Sequence, residues 1–218
     1  MKRCTTLLPM VLAVAGLLFL AGCGDDDVTG PKTPETAQEW IDQGWSQYHA
    51  GDYDNAYISF NQAVELAGAE EDYDRVVEGL SALGWTAMKD QNLSGGQIAF
   101  DMAQSLDPVY GDALGGHAIL LQLLEEWQQS SEKATQLLAA DAGWVFTQDH
   151  SITALDVRLI RAFNYYALAE FDLSLVDALA VNEAVGYQPG LAVDDFNLAT
   201  TEGRAELMDL IDALDELI

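Results

Sequence analysis

Cysteine is nearly absent. The two present are Cys4 and Cys23, so nothing beyond residue 23 can form a disulfide, offer a thiolate to zinc or act as a thiol nucleophile. Basic residues are scarce too: nine Lys and Arg stand against 36 Asp and Glu in 218 residues, a formal charge of −27. Such a chain cannot assemble the cationic face that phosphate neutralisation requires. Nucleic acid is excluded as a partner, and so is adsorption by charge to anionic lipid headgroups. The three histidines, His49, His117 and His150, keep no metal-ligand spacing. There is no glycine-rich phosphate loop, no serine in a nucleophile elbow, and almost no alternating apolar pattern of the strand type. No metal, no cofactor and no catalytic residue is expected.

What is present begins at the N-terminus. Lys2 and Arg3 precede an apolar run from Leu7 to Gly22, interrupted at Pro9 and closed by small residues. This is the pattern of a secretory signal. An uncleaved anchor helix is the alternative, but the run is shorter than the roughly 20 residues that span a bilayer. Its last four residues, Leu20-Ala21-Gly22-Cys23, resemble the lipobox of bacterial lipoproteins. The resemblance implies a signal peptide over 1–22, cleavage before Cys23, and lipidation of Cys23 by a thioether-linked diacylglycerol and an amide-linked acyl chain. Two anchors hold where one is marginal, since each buried methylene contributes about 0.8 kcal/mol. The location implied is the bacterial envelope, at the outer membrane's periplasmic side.

Cleavage would leave 196 residues and seven Lys and Arg, moving the charge to −29. A domain of that size, exported without an intramolecular disulfide, must be held by its core. Residues 23–36 read as a flexible acidic tether, rich in Gly, Pro and polar residues and lacking apolar periodicity. Asp25-Asp26-Asp27 lacks the spaced ligands and turn glycine of a calcium loop, and is expected to be a solvated spacer. Two readings of the acidity stand: a solvated, self-repelling surface, or recognition of a basic partner.

From Ala37 onward the apolar period is helical, which predicts an all-α domain. Thr33-Pro34 offers a capping hydroxyl and a first-turn proline, so the first helix is expected from about Pro34 to Ala50. Gly51 breaks it, Asp52 can cap the next start, and a second helix follows through Tyr57, Phe60, Ala63, Val64 and Leu66. The unit then recurs. Trp40, Gly44, Gly51, Tyr53, Ala56, Phe60 and Ala63 stand at the spacings of a tetratricopeptide repeat, which they resemble. Leu80, Leu83, Gly84, Leu93, Gly96, Phe100, Ala103 and Pro108 keep those spacings 40 residues on, with extra residues near Ala69–Asp74 expected in the turn or the first helix. A third unit keeps Trp127 and Ala134, and a fourth offers Tyr165-Tyr166, Phe171, Ser174 and Ala178.

The resemblance implies a superhelix of antiparallel helix pairs over 37–186, with units at about 37–70, 77–110, 111–141 and 155–186. It implies small residues at Gly44 and Ala56 for helix approach, and Phe60 and Phe100 filling the seam to the next unit. Residues 187–218 are expected to be a loop and a capping helix, with Leu207, Leu210, Ile211, Leu214 and Ile218 along one side. Between the third and fourth units, Trp144, Val145 and Phe146 fall outside any clean helical period. They either lie across the array or form a binding edge. The first is favoured, because large exposed apolar patches are uncommon.

Arrays of this type use their first helices to line a concave groove. By the repeat pattern the groove positions are Trp45, Tyr48, Trp85, Met88, Phe163 and Tyr166, which are partner anchors if exposed and core if covered. Groove positions that clamp a peptide carboxylate with Lys, Arg or Asn in some members are Ile41, Trp45, Ser81 and Trp85 here, so that clamp is lacking. The function implied is a membrane-anchored scaffold for a protein or peptide partner. A carrier of a small apolar or glycan ligand is the alternative, and a lytic enzyme on cell-wall glycan a third reading.

Overall fold

The computed structural model describes residues 33–218. The signal segment, the Asp25–Asp27 run and Cys23 lie outside the described residues. Pro34–Ile218 forms one compact unit of helices. In chain order these are α1 (Ala37–His49), α2 (Tyr53–Ala69), α3 (Tyr73–Lys89), α4 (Leu93–Leu106), α5 (Gly111–Leu123), α6 (Trp127–Ala140), α7 (Ala154–Ala167), α8 (Phe171–Val185) and α9 (Thr201–Asp215).

Helix α1 starts three residues past the proline that was expected to open it. Thr36 caps it: the Glu39 N–H donates to Thr36 Oγ1 at 3.2 Å, and the Thr36 N–H donates back to Glu39 Oε2 at 3.1 Å. This capping box satisfies two amide donors. The extra residues of the second unit do not lengthen a turn. Both α2 and α3 run to 17 residues, joined through Glu70, Glu71 and Asp72.

One turn is used five times. After α1, α2, α3, α5 and α7 the chain passes through a left-handed residue, respectively Gly51, Glu71, Gln91, Glu125 and Ala169, with φ between 57° and 78°. The N–H of that residue and of the next donate back to carbonyls three and five residues earlier, as Ala169 does to Tyr166 O and Glu170 to Tyr165 O. These are the two bonds of a Schellman stop. The residue after the left-handed one then becomes the N-cap of the following helix. Asp52, Asp72 and Asn92 each accept from the amide three residues on, whereas Glu126 and Glu170 make no side-chain cap bond.

The odd-numbered helices touch one another in sequence, α1 on α3, α3 on α5, α5 on α7 and α7 on α9, while each even helix rests on its two chain neighbours. The result is an inner layer of odd helices and an outer layer of even ones. Close approach within a pair depends on glycine. A Cβ at Gly44 would overlap the Phe60 ring and one at Gly84 the Phe100 ring. Phe60 therefore fills the seam inside its own pair, while Phe100 fills that of its pair and the seam to the next unit, since a Cβ at Gly116 of α5 would also strike it.

Two apolar cores result. The larger spans α1–α6 and the beginning of α7; the smaller joins α7, α8 and α9. Leu207, Leu210, Ile211 and Leu214 of α9 are buried in the smaller core, so α9 closes that end. Ile218 lies past the helix end and is exposed. Polar contacts join α6 to α7 where the cores meet: Asn164 Nδ2 donates to Ser130 Oγ at 2.7 Å and Arg161 to Thr135 Oγ1 at 2.9 Å, while Arg161 also reaches the buried Asp177 carboxylate of α8 at 2.7 and 2.8 Å. That carboxylate holds the Arg161 guanidinium above its ordinary pKa.

Candidate functional site

The inner face is divided by the 13 residues between α6 and α7, a strap running from Asp141 to Thr153. Val145 and Thr153 form an antiparallel bridge; Phe146 N–H donates to Ile152 O at 2.9 Å and Ala154 N–H to Trp144 O at 2.8 Å. This narrow loop leaves Val145 exposed and turns Trp144 and Phe146 into the protein. The Phe146 ring lies parallel to Trp85, with centroids 4.0 Å apart and planes 17° from parallel, and it meets Trp45 edge-on at 6.0 Å. Both Phe146 and Trp85 are 1% exposed.

Asp112, near the start of α5, anchors the strap. Its Oδ1 accepts from Trp144 Nε1 at 2.9 Å and its Oδ2 from Thr147 Oγ1 at 2.6 Å, while its backbone carbonyl accepts from Trp85 Nε1 at 2.9 Å. Burial pushes the Asp112 carboxyl above the usual carboxylate range, and the Thr147 and Trp144 bonds hold it back. Burial likewise raises the nearby Glu78 and Tyr110. The α5 glycines make room, because a Cβ at Gly115 would overlap the Trp144 ring.

Past the strap the inner face opens. A cavity of about 370 Å³ lies between α5, the end of the strap, α7 and α9. Its apolar lining includes Ile152, Ile160, Phe163, Ile211 and Ile218, and Asp156, Asp212 and Asp215 border it. Asp212 and Asp215 are exposed, in the last turns of α9, where no basic residue stands.

Solved structures share this architecture. A tetratricopeptide repeat protein from Parabacteroides merdae matches with a TM-score of 0.58 over 83% of this chain at 16% identity; this chain spans 60% of that one. MamA from Desulfovibrio magneticus RS-1 matches at 0.57 and 12% identity, over 85% of this chain and 97% of its own, and a MamA RS-1 double mutant at 0.59 and 13%, over the same shares. The fold is a tetratricopeptide-like solenoid. At these identities the likeness is one of fold. No protein-family model matches the sequence, and no curated protein does.

The solenoid distributes the six candidate groove residues unevenly. Trp45, Tyr48 and Trp85 are buried in the larger core, and Met88 rests against it half-buried. Tyr48 packs edge-on to Trp45 at 5.2 Å and Tyr53 at 5.6 Å, and its burial raises the phenol's pKa. Tyr166 packs on Phe171 at 5.2 Å in the smaller core. Of the six, Phe163 borders the open cavity, with Trp127 edge-on to it at 5.6 Å. The positions of the clamp type, Ile41, Trp45, Ser81 and Trp85, are all buried.

The histidines are dispersed. His49 and His150 are exposed, and His117 is buried in α5 with Nδ1 3.2 Å from Gln104 Nε2. Among the described residues no cluster of His, Cys, Asp and Glu could hold a metal. Three elements of the site were not singled out from the sequence: Asp112, one acid among 36; the Gly115-Gly116 pair, the only local hint that an indole lies against α5; and the acidic end of α9.

Proposed function

We propose that this chain is a lipid-anchored envelope protein whose solenoid is a protein-binding scaffold, and that it holds its partner on the open half of the inner face. The observation that carries the reading is the split of that face. From α1 to α5 its aromatic residues are consumed by Phe146 and Trp144, whereas between α5, α7 and α9 an apolar cavity remains uncovered. Inner faces of helical arrays are rigid and can present apolar anchors to a partner segment at small entropic cost. The anchor rests on the Leu20–Cys23 lipobox, which would place the scaffold beside a membrane. No helix among the described residues is long and apolar enough to cross one.

Two measurements test the two halves of the reading. Labelled palmitate should enter the wild-type chain in a bacterial host and fail to enter Cys23→Ser; equal labelling removes the lipid anchor. A photo-crosslinking residue at Ile160, in the cavity, should capture a discrete partner from intact cells, and one at Glu132, exposed on α6, should not. Equal adducts from both positions would remove the assignment to the inner face.

A further inference from the structure

The open cavity is apolar inside and acidic outside, and this combination narrows what can occupy it. Resting on the scaffold reading above, we propose that it docks a cationic amphipathic helix of the partner, whose apolar face enters against Ile160 and Phe163 while its Lys and Arg meet Asp156, Asp212 and Asp215.

Three observations lead there. The first is the state of the rim. Asp212 and Asp215 of the rim stand three residues apart near the C-terminus of α9, with Asp209 three residues before Asp212 and the C-cap Glu216 four after it, both outside the cavity lining, and among the described residues none of the four has an ion pair or a side-chain hydrogen bond. Like charges at such spacings repel, and acids in a last turn oppose the helix dipole, each effect costing a few tenths of a kcal/mol up to about 1. A cation from outside relieves both at once.

The second is the wall chemistry. Most of the wall is α5, α7 and α9, whose mid-helix backbone groups are already paired internally, with Ile152 of the strap and Ile218 completing it, and Gln122 is the one uncharged polar side chain on it. An extended peptide would leave its own N–H and C=O groups without partners there, whereas a helix arrives with them satisfied.

The third is charge balance across candidates. A second copy, cleaved before Cys23, brings another −29 and has its seven basic residues scattered, and an anionic lipid surface is repelled in the same way. A cationic helix is attracted by the field of the whole protein before it makes contact.

The test uses the full chain in phosphatidylcholine nanodiscs, with empty nanodiscs as the reference, and three fluorescent peptides of about 14 residues, about four helical turns each. These are a Leu/Lys peptide with helical amphipathic period, its Leu/Glu counterpart, and a Leu/Lys peptide of the same composition in scrambled order. The amphipathic Leu/Lys peptide should bind most tightly, and added salt should weaken it. The variant Asp212→Asn/Asp215→Asn should lose at least about tenfold in affinity while melting at a higher temperature than wild type, because the same substitutions remove the repulsion in α9. Ile160→Ser should lose a similar factor without the rise in melting temperature.

Equal binding of the Leu/Glu or the scrambled peptide would overturn the proposal, as would unchanged affinity in the double Asn variant. Failure here is separable from failure of the scaffold reading. A partner still crosslinked at Ile160 with undiminished yield in Asp212→Asn/Asp215→Asn leaves the scaffold in place and removes the cationic helix. A self-adduct at Ile160 would show a second copy as occupant and overturn it too.

Discussion

Phe146 lies flat on Trp85, 61 residues away in sequence, and their contact at 4.0 Å closes the part of the inner face that an aromatic stripe would otherwise expose. A ring that shared the site with a partner would be expected to keep an exposed edge; Phe146 keeps 1%. The strap is thus part of the core, and truncating it has core-like consequences. Phe146→Ala should lower stability by about 3–5 kcal/mol in urea unfolding and shift tryptophan emission to the red as Trp85 gains water. A loss below about 1 kcal/mol would mean that the strap is a detachable cover.

Asp112 should be the strap's most sensitive polar contact. Asp112→Ala strands the buried Trp144 Nε1 without its acceptor and removes the partner of Thr147 Oγ1, which is exposed and can turn to water. The expected cost is about 2–4 kcal/mol, and Asp112→Asn, which retains one acceptor oxygen, should cost less. Thermal unfolding of the two variants checks the order.

The repeated turn gives a prediction of opposite sign. Glu125 and Ala169 occupy left-handed backbone at φ 60° with side chains that disfavour it. Glu125→Gly and Ala169→Gly should each stabilise by about 0.5–1 kcal/mol, and Gly51→Ala, at φ 78°, should destabilise by about 1. Melting temperatures of the three variants decide it.

His117 should impose an acid limit. Burial first, then the nearby Lys133, depress its pKa from 6.5 to about 4, with Asp101 opposing. A depressed pKa means that the fold prefers the neutral ring. The stability this preference contributes is present above about pH 6.5 and is lost as pH falls through about 4, on the order of 2–3 kcal/mol in all. Relief of acid–acid repulsion runs the other way over the same range, so the comparison must be with His117→Gln. Its urea-unfolding stability should fall less than that of wild type between pH 7 and pH 4.

Much of the solenoid is written in local signals. Gly44 with Phe60 and Gly84 with Phe100, 40 residues apart, disclose the pairing because a ring against a glycine is a contact between neighbouring helices. Helix α1 begins later than Thr33-Pro34 suggests because Thr36 and Glu39 form a reciprocal cap that the earlier pair cannot match. The division of the inner face is harder to read. Helical position shows that Trp45, Trp85 and Phe163 face inward, yet whether an inward residue is covered depends on a loop about 60 to 100 residues further along the chain for the first two, and no periodicity encodes that. Trp144 and Phe146 carried the hint, being apolar residues outside any helix. Their acceptor Asp112 carried none, since an acid in an acidic chain has no distinguishing mark.

The five tryptophans give the most direct measurement of that division. In an indole ¹H–¹⁵N spectrum of the chain titrated with the amphipathic Leu/Lys peptide, Trp127, which touches Phe163 at the open cavity, should shift. Trp45, Trp85 and Trp144, enclosed with Phe146, should hold still. Movement of Trp45 and Trp85 with Trp127 unchanged would contradict the account, placing the partner where the strap now lies.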